Sequence, residues 1–283
     1  MHPLLIYIGS GWIFWGGVIT LLVSCLSGIG AGKGWRLHLA QTAAVLGILQ
    51  IALSSTPVPG WLWWLLLLAT AGTMAALQFR YGKRRIVQGV FGAVILAAAV
   101  FELPYWLDGE PVAVRGRVRI LADSISSGIG FAGERVWSVL LDEERPGRIE
   151  NRAVPGSQVS TSRRTLEQFR FCPGDVLVIE LGGNDLLGGV PGAEFRRKLD
   201  GLLGVAASFD VPVLMFELPL PPFRSSYLRA QRELAAKYGV TLIPRRRFAA
   251  VLSGGGSTVD GLHLSNYGHE KMAAVVRRCL LFD

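Results

Sequence analysis

The chain has 283 residues, of which 51% are hydrophobic and only 18% are charged, and its net charge is +8 at pH 7. This length predicts about two domains, and the apolar excess excludes an ordinary soluble protein of this size. The charge is uneven, because residues 1–107 carry six basic side chains and one acid and so contribute +5 of the net charge. A basic balance is typical of nucleic-acid-binding proteins, but membrane topology accounts for most of this surplus, and we predict no nucleic-acid partner.

Four apolar stretches, separated by short polar or turn-forming breaks, occupy the N-terminal third. They run over about 4–28, 37–55, 61–79 and 86–103, and none carries a charge at its centre. About 20 apolar residues are needed to cross a bilayer core of about 30 Å. A cleaved signal peptide is disfavoured for the first stretch, because it lacks a basic n-region and three more stretches follow. We therefore predict an all-α transmembrane domain of four helices over 1–107.

The loops between these stretches predict the orientation. Lys33 and Arg36 lie between the first two stretches, and a basic run at 80–85 lies between the last two, whereas 54–60 carries no charge. Cytoplasmic loops carry an excess of Lys and Arg. The sequence therefore predicts a multi-pass protein of a bacterial cytoplasmic membrane, with everything after Leu107 on the extracytoplasmic side. Frequent small residues in the stretches predict close helix packing in the bilayer, and leave open a membrane-protein partner on the same faces.

From residue 108 the pattern changes to short β-branched or apolar runs that alternate with longer helical stretches. The predicted strands are 118–122, 148–152, 176–181, 211–217 and 240–243, and the predicted helices are 131–142, 161–169, 192–209, 226–238, 245–252 and 266–281. This alternation indicates a parallel sheet with helices on both faces. We predict a second domain over 108–283, an α/β fold with a flavodoxin-like, three-layer, five-stranded sheet.

Five residues with the chemistry of an acyl-transfer site lie in order along this second domain. Ser124 lies in LADSI at 121–125, Gly156 closes NRAVPG at 151–156, Asn184 lies in GGND at 182–185, and Asp260 and His263 belong to DGLH at 260–263. They supply a nucleophile, oxyanion donors, and a base with an orienting carboxylate. Ligands of open α/β sheets sit beyond the carboxyl ends of the strands, and the first three residues follow the first three predicted strands, so we expect all five to converge on one edge.

These motifs resemble the four sequence blocks of the SGNH hydrolases, also called the GDSL esterase/lipase superfamily. The resemblance covers the chain from about residue 115 onwards. It departs from the family pattern at Ala122, where the first block usually has glycine, and we expect so small a change to preserve the turn. The resemblance implies that Ser124, His263 and Asp260 form a catalytic triad, with Ser124, Gly156 and Asn184 as oxyanion-hole residues.

The remaining patterns predict no metal and no cofactor. The sequence contains no metal-ligand cluster, phosphate-cradling loop or dinucleotide fingerprint. Its three cysteines, Cys25, Cys172 and Cys279, fit neither a disulfide framework nor a zinc site, and a pairing of Cys172 with Cys279 stays open.

The sequence as a whole predicts a membrane-anchored serine ester hydrolase that acts on an acylated lipid or an envelope glycan. Two alternatives stay open. An acyltransferase would use the same acyl-enzyme and pass its group to a hydroxyl instead of water. A membrane scaffold would use the hydrolase fold for binding alone.

Overall fold

The computed structural model describes residues 3–29, 34–79 and 84–283, which divide into two compact units. The first contains the described residues of Tyr7–Leu107 together with Leu220–Ser225. The second contains the described residues of Met1–Ile6 together with Asp108–Pro219 and Ser226–Asp283. Of the basic residues that predicted the membrane orientation, Lys33, Arg80 and Lys83 lie outside the described residues.

Apolar helices make up most of the first unit. They are α1 (Pro3–Gly9), of which residues 7–9 belong to this unit, α2 (Trp12–Gly28), α3 (Trp35–Leu53), α4 (Gly60–Gln78) and α5 (Arg84–Trp106). Within the described residues, α3, α4 and α5 are long and apolar enough to cross a membrane. The 17 residues of α2 span only about 26 Å, which is slightly less than a bilayer core of about 30 Å.

The prediction of one continuous helix over 4–28 is wrong. This stretch is interrupted at Ser10 and Gly11, where the backbone of Gly11 adopts a left-handed conformation with φ of 89°. Ser10 Oγ donates to the Tyr7 carbonyl oxygen and accepts from the Trp12 backbone N–H. Both contacts favour the end of one helix and the start of the next. The stretch predicted to end at 103 continues to Trp106, with Pro104 in its last turn.

Small residues bring α2 and α3 into close contact. A Cβ atom added at Gly17 would lie 2.8 Å from the Gly47 carbonyl oxygen, and one added at Gly47 would lie 3.0 Å from the Gly17 carbonyl oxygen. Around this contact, Phe14, Leu21 and Ile51 are almost fully buried in the core of the unit. These two glycines therefore serve packing within the unit, as small residues do in membrane helices.

The second unit contains the α/β fold. Its strands are β1 (Val112–Val114), β2 (Val118–Ala122), β3 (Ile149–Asn151), β4 (Val176–Glu180), β5 (Val213–Phe216), β6 (Thr241–Ile243) and β7 (Leu280–Phe282). Its helices are α6 (Ser124–Ser127), α7 (Trp137–Glu144), α8 (Val159–Glu167), α9 (Gly183–Leu187), α10 (Gly192–Ala207), α11 (Ser225–Tyr238), α12 (Arg245–Leu252) and α13 (Asn266–Cys279).

Five parallel strands form the main sheet in the order β3-β2-β4-β5-β6. Counting only these strands along the chain, the order is 2-1-3-4-5, which confirms the predicted flavodoxin-like arrangement. Every residue of β2, β4 and β5 is buried, as expected for a parallel sheet with both faces covered. The register pairs Ala122 with Glu180 at the carboxyl ends of β2 and β4, so these ends lie side by side.

Several predicted helices have different bounds in the structure, and two of these differences have a physical cause. The helix predicted at 131–142 begins only at Trp137, because the Glu134 carboxylate accepts from the Ile129 and Gly130 backbone N–H groups and holds the preceding segment in turns. The helix predicted to end at 281 ends at Cys279. Residues 280–282 instead form β7, which pairs in parallel with β1 in a separate two-stranded sheet.

The close approach of α2 and α3 predicts the effect of a single methyl group. We expect Gly17→Ala to lower the thermal unfolding midpoint of the detergent-solubilised protein, because its Cβ would clash with the Gly47 backbone and overpacking typically costs about 1–3 kcal/mol. Gly72→Ala is the matched control, since no atom lies within 4 Å of a Cβ built at Gly72 in α4. Equal midpoints for the two variants would contradict this packing.

Candidate active site

The Ser124 turn begins where β2 ends. Asp123 is the N-cap of α6, and its Oδ1 atom accepts from the Ile125 backbone N–H at 3.0 Å. Ser124 is therefore the first residue of the short helix, where backbone N–H groups have no acceptor within the helix. Ala122 is the last residue of β2, and its φ is not positive. The alanine in place of the family's glycine therefore adopts ordinary extended backbone and preserves the turn.

His263 links Ser124 to Asp260. His263 Nε2 lies 3.1 Å from Ser124 Oγ, and His263 Nδ1 lies 2.6 Å from Asp260 Oδ2. The other carboxylate oxygen, Asp260 Oδ1, accepts from the backbone N–H groups of Leu262 and His263 at 2.9 and 2.8 Å. The backbone of the loop therefore holds the Asp260 carboxylate in place, and the carboxylate in turn orients the His263 imidazole.

These contacts define the charge and the tautomer of the pair. The hydrogen bond from the His263 side chain, followed by those from the backbone N–H groups of His263 and Leu262, holds the pKa of Asp260 well below its usual range. An ionised Asp260 accepts from Nδ1–H, which leaves Nε2 to accept the Ser124 hydroxyl proton. A serine nucleophile with an adjacent general base requires this arrangement.

Gly156 and Asn184 flank the same turn. Gly156 has φ of 74° in the turn after β3, a left-handed conformation that glycine adopts without strain. Asn184, in α9 after β4, donates through Nδ2 to Asp123 Oδ2 and to the Ser157 carbonyl oxygen, both at 3.1 Å. One amide group thus joins the residue before Ser124 to the residue after Gly156. The structure therefore brings all five predicted residues together at the carboxyl edge of the sheet.

Asp185 and His269 lie near this site and contact backbone in other elements. Asp185, which lies inside α9, accepts through Oδ2 from the Val159 backbone N–H at 2.9 Å, at the start of α8. His269 is fully buried; its Nε2 lies 3.2 Å from Glu134 Oε1, and its Nδ1 accepts from the Trp137 backbone N–H. His269 therefore joins α13 to the segment after α6 and has a packing role.

Sequence analysis missed Glu180, the last residue of β4. It is 1% exposed, and its Oε2 accepts from Ser126 Oγ at 3.0 Å. Its side chain is also hydrogen-bonded to that of Asp123. The signal was present, because a single acid ends the otherwise apolar run VLVIE, but its partner is 57 positions away in the sequence.

Within the described ranges, no group of three or more His, Cys, Asp or Glu is arranged to hold a metal ion. Cys172 and Cys279 are both free. Burial raises the pKa of the Cys279 thiol to about 11, which leaves it a poor nucleophile at neutral pH.

Comparisons with known proteins identify the family of this chain. The GDSL-like lipase/acylhydrolase family model matches residues 123–271, slightly more than half of the chain and the whole span from Asp123 to His263. Esterase TesA of Pseudomonas aeruginosa is 28% identical over 139 residues, which cover 44% of this chain and 68% of that protein.

Solved structures show the same fold. A crystal structure of TesA covers 58% of this chain and 97% of its own, with a TM-score of 0.50 and 24% identity. A lipolytic protein of the G-D-S-L family from Desulfitobacterium hafniense covers 59% of this chain and 100% of its own, with a TM-score of 0.50 and 16% identity. The fold and the family match define a hydrolase that acts on ester bonds. The chain belongs to the GDSL-like lipase/acylhydrolase family.

Among the described residues two histidines, His263 and His269, contact a carboxylate, and the geometry predicts that only one of these pairs affects turnover. We expect His263→Gln to lower kcat on a short-chain nitrophenyl ester by about 10²- to 10⁴-fold, because Ser124 loses its base. His269→Gln is the matched control and should keep kcat within about threefold in the folded protein, since His269 contacts Glu134 and Trp137 and not Ser124. A similar loss in both variants would contradict the assignment.

Proposed function

We propose that this protein is a membrane-anchored serine ester hydrolase with Ser124 as nucleophile. The observation that carries the proposal is the continuous hydrogen-bond chain from Asp260 through His263 to Ser124 Oγ. A serine hydroxyl is a weak nucleophile unless a base lies within hydrogen-bond reach. His263 meets that requirement, and Asp260 orients it.

The proposed reaction has two steps. Ser124 Oγ attacks the ester carbonyl carbon while His263 Nε2 takes its proton, and the alcohol leaves with that proton to give an acyl-Ser124 intermediate. Water then attacks the acyl group with His263 again as base, which releases the free acid and restores Ser124.

The negative charge on the attacked oxygen requires donors. We assign this role to the backbone N–H groups of Ser124 and Gly156 and to Asn184 Nδ2, and losing one such donor typically costs about 10²- to 10³-fold in rate. Asn184 Nδ2 already has two acceptors, Asp123 Oδ2 and the Ser157 carbonyl oxygen. It therefore reaches an oxyanion by sharing or exchanging one of them.

The Ser124 assignment is tested with a fluorophosphonate probe, which reacts covalently with activated serine. We expect the wild-type protein to be labelled and Ser124→Ala not to be. Ser127→Ala is the matched control, because Ser127 Oγ donates to the Gly128 carbonyl oxygen and not to a base, and it should be labelled like the wild type. An unlabelled wild type would favour the non-catalytic scaffold.

Hydrolase and acyltransferase differ only in the acceptor of the second step. Free acid as the product of the purified protein supports hydrolysis. An acylated sugar or lipid that forms only when an acceptor hydroxyl is present would instead support transfer. The proposed substrates remain acylated lipids and envelope glycans, for which tethering at a membrane surface is an advantage.

The membrane anchor is supported by the composition and exposure of the helices. α3, α4 and α5 have the length and hydropathy of spans, and large apolar side chains are exposed along the helical unit: Ile19, Leu26, Leu46, Leu49, Leu68 and Val100. Exposed apolar area of this extent is uncommon on soluble proteins. Two loops of this unit are basic and therefore favour the cytoplasmic side. Their basic residues are Lys33, Arg36, Arg80, Lys83, Arg84 and Arg85. This orientation favours an extracytoplasmic hydrolase unit.

The orientation is tested with reporters fused after Asp108 and after His38. We expect a periplasm-active reporter such as alkaline phosphatase to work only when fused after Asp108, because the proposed orientation has that point outside. A cytoplasm-active reporter should work only when fused after His38. The reverse pattern would contradict the orientation, and activity in a soluble fraction would contradict the anchor.

A further inference from the structure

Two buried carboxyl groups lie side by side behind Ser124. Asp123 is 2% exposed and Glu180 is 1% exposed. The strand register places Glu180 opposite Ala122, the residue before Asp123, and the two side chains are hydrogen-bonded to each other. A hydrogen bond between two carboxyl groups requires a proton on one of them.

The hydrogen-bond partners of the Asp123–Glu180 pair differ from those of a carboxylate in an ion pair. Asp123 accepts from the Ile125 backbone N–H and from Asn184 Nδ2, and Glu180 accepts from Ser126 Oγ. The titratable groups that act on Asp123 besides Glu180 are His263, in the loop before α13, and Asp185, in α9. By contrast Glu217, which follows β5, is fully buried against the Arg232 guanidinium at 2.7 Å.

Electrostatics determines where the proton resides. Two adjacent ionised carboxylates in a buried site repel each other strongly, so one of them keeps its proton. Burial raises the pKa of Asp123 to about 6. Burial, followed by the adjacent Asp123 charge, raises the pKa of Glu180 well above its usual range. At neutral pH the proton therefore stays on Glu180, which donates to the Asp123 carboxylate.

We propose that Asp123 and Glu180 form a carboxyl–carboxylate pair that keeps one proton at neutral pH and positions both the Ser124 turn and the Asn184 amide. In this pair Glu180 is the neutral donor and Asp123 is the anionic acceptor. The Asp123 carboxylate then receives three hydrogen bonds, from Glu180, from the Ile125 backbone N–H at the start of α6, and from Asn184 Nδ2.

The consequence for catalysis concerns Asn184. Asp123 Oδ2 is one of the two acceptors that hold Asn184 Nδ2, so it orients the proposed oxyanion donor and also competes for it. The hydrogen bond from Glu180 withdraws negative charge from Asp123 and weakens that competition. The inference rests on the proposed function, because it assigns Glu180 and Asp123 as positioning residues for the same site.

Glu180→Gln tests the pair, because glutamine keeps a donor toward Asp123 and an acceptor for Ser126 but carries no titratable proton. We expect kcat within about threefold of the wild type, whereas Glu180→Ala should lose about 10- to 100-fold, because the Ser124 turn and Asn184 lose their support. The infrared band of a protonated carboxyl group, measured at pH 8 without substrate, should be present in the wild type and lost in Glu180→Gln. Asp185→Asn is the control, and it should keep the band.

The outcomes separate this inference from the proposed function. A carboxyl band that Glu180→Gln leaves unchanged would overturn the shared proton, even in a fully active enzyme. A loss of activity in Glu180→Gln as large as in Glu180→Ala would overturn the positioning role, and the comparison of Glu180→Gln with the wild type decides this even if Glu180→Ala does not fold. Failure of fluorophosphonate labelling in the wild type would instead overturn the proposed function and leave the infrared result standing.

Discussion

The site depends on one hydrogen bond between segments 139 residues apart, from Ser124 Oγ to His263 Nε2. Neither residue has the required chemistry alone, since the hydroxyl needs a base and the imidazole needs an acceptor to fix its tautomer. The loop at 260–263 supplies that acceptor locally, because Asp260 is held by two backbone N–H groups as well as by His263 Nδ1. Only the placement of this loop beside Ser124 needs the whole fold.

The parallel sheet provides that placement. β2 and β4 are neighbours, and their pairing runs from Val118 opposite Val176 to Ala122 opposite Glu180. Asp123 and Glu180 therefore lie close together at the carboxyl ends of these strands, and Ser124 follows Asp123 directly. Asn184 then closes the arrangement by joining the Asp123 side chain to the turn that contains Gly156. The proposed oxyanion donors and the proposed nucleophile are therefore held by a single polar network in which Asp123 is the common member.

Local patterns were sufficient to predict the strands of the main sheet and the five residues that the structure brings together at its carboxyl edge. Each strand is a short apolar run between turns, and each site residue lies in a short motif, so neither depends on distant contacts. The features that were missed depend on such contacts. The pairing of β1 with β7 joins the two ends of the α/β region, Asp185 caps a helix other than its own, and the importance of Glu180 appears only when Asp123 lies beside it. The break at Gly11 was hidden because the residues on both sides of it are apolar.

The central claim, that Ser124 releases acyl groups by hydrolysis, is tested most directly with natural material. Purified full-length protein is incubated with native membrane and envelope extracts, and mass spectrometry follows the acylated species and the free acids. We predict that a defined set of species loses an acyl group, with matching free acid, in the presence of the wild type and not of Ser124→Ala. Equal losses with both proteins, or no change with the wild type while a short-chain nitrophenyl ester is also left intact, would contradict the account.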